Sequence, residues 1–137
     1  MKNPYLTHTR SMEYASYIMD AIVNDKPFRI GGNVLNTGGL IENLPQEACV
    51  EVPCMADGMG IHPCRVGRLP VQLAAMNMTN INVHLITIEA AVTRKKEHIY
   101  HAAMLDPHTG SELTIDEIVN MVDDLIEAHG SWLPKFT

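Results

Sequence analysis

The sequence predicts an α+β domain, a small and largely antiparallel set of strands packed against several helices. Three observations predict it. Ala48-Cys49-Val50-Glu51-Val52 alternates, with Ala48, Val50 and Val52 on one face and Cys49 and Glu51 on the other, the period of a half-buried strand. From Asn33 to Pro70, glycine, proline and asparagine recur densely enough to break the chain into short strands and turns. On either side of that region the apolar residues recur at three- and four-residue steps, the period of helices.

Taken in order, the first helix is expected from about Ser11 to Asn24, with Met12, Ala15, Ile18, Met19, Ile22 and Val23 as its apolar stripe and Pro27 ending it. Phe28-Arg29-Ile30 and Val34-Leu35-Asn36 are expected as short strands around Gly31-Gly32, and Leu40-Ile41 as a further one. Pro53 has no N–H for a ladder, so the Ala48–Val52 strand should end there or lie at an edge. Asp57-Gly58 and Gly60 mark turns. Leu69-Pro70 opens a long helix to about Val92, with the polar patch Asn77 to Asn82 as a place for a kink or a split. Another helix is expected from about Arg94 to Leu105, stopped by Asp106-Pro107. The last helix has a capping-box pattern in Thr114 and Glu117. Its buried stripe is Ile115, Ile118, Val119, Val122, Leu125 and Ile126, and His129, Gly130 and Pro134 mark its end.

With 137 residues, 46% of them apolar, the chain is expected to form a single domain whose core needs neither disulfides nor metals. No apolar stretch is long enough for a membrane span, and the first residues lack the apolar core of an export signal. A cytoplasmic protein with three reduced cysteines is the expectation. The net charge of −6, with Arg94-Lys95-Lys96 as the one brief basic cluster, argues against nucleic acid as a partner.

Beyond composition, the residues spell out a family pattern. Arg10-Ser11-Met12-Glu13-Tyr14, the Asn33 to Leu44 run, Ala48 to Cys54, Gly60-Ile61-His62-Pro63, Val66-Gly67, Leu69-Pro70, Leu105-Asp106-Pro107 and Glu127-Ala128-His129 occur in this order. From about Arg10 to Pro134 the chain resembles the C-terminal part of glycoside hydrolase family 4, and within it the α-galactosidase branch. The resemblance implies the substrate and oligomerisation domain that accompanies a dinucleotide-binding domain in family 4 and in lactate-dehydrogenase-like enzymes. It implies hydrolysis of α-galactosides with NAD and a divalent metal, commonly manganese. In that chemistry hydride leaves C3 of the sugar, the acidified C2 proton goes to a base, the leaving group is eliminated, water adds and hydride returns. The metal polarises the sugar oxygens. The family's dinucleotide fingerprint, metal ligands and base precede the matching region. Here Gly58 and Gly60 are followed by Pro63, not by a G-x-G-x-x-G pattern. The expectation is therefore a chain without its N-terminal dinucleotide-binding domain, which binds neither NAD nor Mn2+ and has no turnover by itself. In the intact enzyme it would help wall a pocket for an α-galactoside-type sugar, and homo-oligomers are expected.

The candidate residues have both an ordinary and a functional reading. Arg10 and Glu13 share a helical face with Tyr17, which is either a solvated face or, in the intact family enzyme, a border of the pocket. Asn33 and Asn36 suit turns, and their amides also suit sugar hydroxyls. His62 is a loop histidine or a substrate contact. Cys49, Cys54, His62 and Cys64 have metal-ligand chemistry but lack the C-x-x-C spacing of a zinc site, and buried reduced thiols fit better. His98 and His101 lie one helical step apart without a third ligand. No residue is assigned as catalytic, cofactor-binding or metal-binding. The alternatives are the complementing half of a split enzyme, a non-catalytic binding or assembly module, and a zinc-stabilised module.

Overall fold

The computed structural model describes residues 12–137, which divide into two compact units, one of residues 12–34 and 51–65, the other of residues 35–50 and 66–137. The elements are α1 (Ala15–Asn24), β1 (Phe28–Leu35), β2 (Cys49–Asp57), β3 (Gly60–Pro63), α2 (Val71–Thr93), α3 (Lys96–Leu105), α4 (Pro107–Glu112), α5 (Ile115–His129) and a 3-10 turn, Gly130–Trp132. The strands form one sheet in the order β1-β2-β3, with β3 antiparallel to β2. The last residue of β1 and the first two of β2 belong to the second unit.

In the first unit, β1 is a single strand through Gly31-Gly32, not two short ones. The glycines are needed because β2 side chains occupy the space above them. A Cβ at Gly31 would lie 2.8 Å from Glu51 Oε1, and one at Gly32 2.7 Å from Cys54 Sγ. β2 likewise continues past Pro53, although it is the central strand. The Pro53 carbonyl accepts from Cys64 N at 2.8 Å, so its missing N–H points to the β3 side. Pro53 lies opposite Cys64, one step beyond the last β2–β3 pair, Cys54–Pro63, so the bond that its nitrogen cannot donate falls at the end of the ladder. Val52, Cys54 and Ala56 are fully buried on one side of β2.

Helix α1 ends at Asp25, which is left-handed (φ 51°) and whose Oδ1 accepts from Gly58 N at 2.8 Å, tying the helix to the β2–β3 turn. The expected apolar stripe of α1 is largely uncovered. Ala21 is buried, whereas Met19 is 63% and Val23 79% exposed. Ser11 lies outside the described residues.

In the second unit the loop after β1 is built on Asn36. Its Nδ2 donates to the carbonyls of Ile41 (2.9 Å), Leu44 (2.9 Å) and Pro45 (3.1 Å), and its Oδ1 accepts from Ile41 N at 2.8 Å. Leu40-Ile41 contributes one parallel bridge, Ile41 to Gly67, in place of a full strand. Asn43 exchanges two bonds with the Leu69 backbone, at 2.9 and 3.0 Å.

Helix α2 packs on α3, and α3 on α5. α2 runs unbroken through Asn77 to Asn82, because these amides point outward and disturb no packing. Asp106-Pro107 ends α3 as expected and also starts α4. Asp106 Oδ1 accepts from Thr109 N at 2.8 Å, and proline suits the first turn. Tyr100 and Lys96 of α3 both donate to Asp123 of α5, at 2.5 and 2.9 Å.

The capping box of α5 is complete, with Glu117 N donating to Thr114 Oγ1 and Glu117 Oε2 accepting from Thr114 N at 2.8 Å. Ile118 and Val122 are buried, but Ile115 and Leu125 of the expected stripe are exposed. The Thr114 bonds, backbone first, hold the Glu117 carboxyl below its ordinary pKa. Its contribution to stability is therefore full above the unfolded-state pKa and is lost as pH falls through the folded-state value. Thr114→Ala should cost about 1 kcal/mol in urea unfolding at neutral pH, and less at a pH where Glu117 is protonated.

Candidate functional site

The alternation of the three strands builds one exposed polar face in the first unit. Gly31 and Glu51 share it, since the Glu51 carboxylate occupies the place of a Gly31 side chain. Steps of two along β1 add Arg29 and Asn33, and steps of two along β2 add Pro53, Met55 and Asp57. The register pairs Met55 with His62, which brings His62 of β3 to the same face. A depression of about 420 Å³ opens there, lined by Arg29, Ile30, Gly31, Glu51, Val52 and Pro53. At its border, Tyr14 OH donates to Gly31 O at 3.4 Å.

The charges on this face are in two states. His62 Nε2 lies 3.0 Å from Asp57 Oδ1. Asp57 also accepts from Met59 N at 2.8 Å, and this backbone bond first, then the His62 bond, hold its carboxyl below the ordinary carboxylate range. Arg29, Asn33 and Glu51, in contrast, have no side-chain hydrogen bond or ion pair with any described residue.

The structure thus brings two sequence-predicted residues, Asn33 and His62, onto one face. Glu13 directly precedes Tyr14, whose OH donates to the Gly31 carbonyl. Arg10 lies outside the described residues. Asn36 is placed elsewhere. It is wholly buried, and both its N–H groups are taken by loop carbonyls, so it holds the fold of the loop. Residue-by-residue reading missed Arg29 and Glu51. The signal was present in the alternation that set Glu51 opposite Val50 and Val52, and Gly31 was the clue to what lies over it.

Metal chemistry is not assembled. Among the described residues, no three His, Cys, Asp or Glu side chains are grouped to hold an ion. Cys54 is buried, while Cys49 and Cys64 are exposed. His98 and His101 approach ring to ring at 6.4 Å, and His98 Nδ1 is engaged by Thr93 Oγ1 at 3.3 Å. The described residues therefore do not fit a manganese site. The helix starts among them carry no glycine-rich phosphate loop either.

Residues 1–109 match the model of the family 4 glycosyl hydrolase C-terminal domain. The chain belongs to glycoside hydrolase family 4. Within this family it is 60% identical to an alpha-galactosidase of Bacillus subtilis, over 99% of this chain and 31% of that protein. It is 35% identical to an alpha-galactosidase of Rhizobium meliloti, over 97% of this chain and 27% of that protein. The chain thus spans less than a third of the length of these two relatives. A 6-phospho-alpha-glucosidase from gut microorganisms, solved in complex with NAD and glucose-6-phosphate, superposes with a TM-score of 0.78 at 26% identity, covering 88% of this chain and 26% of that one. The 6-phospho-beta glucosidase of Thermotoga maritima, solved with manganese, NAD+ and glucose-6-phosphate, shares the fold with a TM-score of 0.76 at 21% identity, over 90% of this chain and 29% of that one. The expected α+β class, with a small sheet and several helices, is the fold of the family 4 C-terminal domain.

Proposed function

We propose that this chain is the C-terminal, substrate-facing part of an NAD- and manganese-dependent glycosidase that hydrolyses α-galactosides. The 60% identity to an alpha-galactosidase, sustained over 99% of the chain, carries the reading. NAD and manganese enter from the solved relatives named above. Because the described residues do not fit either group, both would be held by the portion of the enzyme that this chain does not span. The chain alone is then without turnover. Its own contribution is to wall the sugar pocket, with Arg10, Glu13, Asn33 and His62 as the positions nearest the sugar. A cytoplasmic location agrees with a substrate and cofactor of that compartment, and no described helix is long and apolar enough to cross a membrane.

A second reading has its own observation. Met19 and Val23, four residues apart on α1, are large apolar residues left more than 60% exposed. Surfaces of this kind are normally covered. A separate N-terminal half or a second copy of the chain would cover them, making the chain one part of a split enzyme or an assembly module. Assay of an aryl α-galactoside with NAD, Mn2+ and reductant separates the catalytic readings from the assembly module. No release by the chain, and release once the N-terminal two thirds of an alpha-galactosidase is added, supports the first and the split form. A stable homo-oligomer that stays inert in the mixture supports the module.

A further inference from the structure

We infer that Arg29 and Glu51 form a hydroxyl-binding subsite for a neutral hexopyranoside, in the depression on the exposed face of the sheet. The inference rests on the reading of the chain as the substrate-facing part of a glycosidase.

Its core is an unusual pairing failure. A guanidinium and a carboxylate line one depression of about 420 Å³, yet they make no ion pair with each other or with any described residue. Opposite charges that line one hollow without pairing suit a ligand whose groups both donate and accept. A sugar hydroxyl does both: its O–H donates to the carboxylate while its oxygen accepts from the guanidinium. Vicinal hydroxyls would span the gap. Asn33, two residues beyond Gly31 on the same face and likewise unbonded, adds an amide of both polarities.

The backbone is shaped for the arrangement. Gly31 leaves its side-chain space to Glu51, whose carboxylate would be 2.8 Å from a Cβ there. Ile30, Val52 and Pro53 supply an apolar lining. These surfaces fit the C–H face of a pyranose. Glu51 also sets the charge of the ligand. A phosphate dianion would lose against the carboxylate what it gained from Arg29, so the subsite takes uncharged sugars. The neighbouring Asp57–His62 pair is already closed at 3.0 Å, so His62 borders the subsite while Arg29 and Glu51 supply its free charges.

Two substitutions test this without disturbing the core. Glu51→Gln keeps the shape and removes the charge. Gly31→Ala keeps the charge and displaces the carboxylate. The full chain, titrated with methyl α-galactoside and followed by amide chemical shifts, should show saturable changes confined to residues 29–33 and 51–55. Each variant should weaken binding about tenfold, the worth of a charge-assisted hydrogen bond, with an unchanged melting temperature. Glucose 6-phosphate should bind the native chain more weakly than the neutral sugar. The inference is overturned by the absence of saturable shifts, by shifts that map elsewhere, by binding indifferent to both variants, or by a preference for the phosphorylated sugar. A silent titration beside an active complemented mixture removes the subsite and leaves the glycosidase reading intact. Binding to the chain with no activity in the mixture does the reverse.

Discussion

Replacing Asn36 by leucine is expected to remove about 4 kcal/mol of stability at neutral pH. The side chain is fully buried and serves four backbone groups, the carbonyls of Ile41, Leu44 and Pro45 and the N–H of Ile41. The Ile41 and Pro45 carbonyls keep backbone bonds from Leu44 N (3.3 Å) and Ala48 N (3.2 Å), but the Leu44 carbonyl and the Ile41 N–H lose their partner unless the loop opens to water. Each buried polar group left without a partner costs about 1–3 kcal/mol. For two such groups the loss is about 4 kcal/mol, a large fraction of the roughly 5–15 kcal/mol that holds a domain folded. Asn36→Asp is no rescue, since a carboxylate would face three carbonyl oxygens in a dry loop. Urea unfolding followed by circular dichroism should show a loss of about this size for either variant. Asn33→Leu, on the exposed face of the sheet, should shift the midpoint by less than about 0.5 kcal/mol equivalent. Equal effects at the two positions would contradict the division between a loop asparagine and a surface asparagine.

The second large effect is expected at Gly32. Its Cβ would sit 2.7 Å from Cys54 Sγ, and Cys54 is completely buried, so the sulfur cannot swing into solvent. Overpacking of this kind costs about 1–3 kcal/mol. Gly31→Ala meets a contact of nearly the same length, 2.8 Å, but with the end of the exposed and flexible Glu51 side chain. That substitution should leave stability almost unchanged. The contrast separates a packing constraint from a site constraint at adjacent glycines. Cys54→Ala in the Gly32→Ala background should recover most of the loss, giving a coupling energy above about 1 kcal/mol in a double-mutant cycle. Additive effects of the two substitutions would mean that the clash is not the cause.

Much of this architecture is legible in the sequence where local chemistry decides the outcome. The Thr114–Glu117 capping box, the stop at Asp106-Pro107 and the alternation of Ala48 to Val52 are each short-range signals, and each appears in the structure. The departures occur where a distant residue decides. Gly31-Gly32 looks like a turn until β2 is laid beside it, and only then does the pair become the means of seating Glu51 and Cys54. Pro53 looks like a strand end because its ladder partner is unknown from one strand alone. The stripe of α1 has helical spacing, but spacing does not say what covers it, and Met19 and Val23 remain exposed. The candidate site follows the same division. Asn33 and His62 stand out by type, whereas their shared face with Arg29 and Glu51 depends on register.

The account depends on the chain being one part of a catalyst whose hydride acceptor, metal ligands and base lie in another part. The direct measurement is release of nitrophenol from an aryl α-galactoside by the pure chain, supplied with NAD, Mn2+ and reductant. The chain alone should give the buffer rate, and addition of the N-terminal two thirds of an alpha-galactosidase should raise it. Release by the chain alone, well above buffer, would contradict the account.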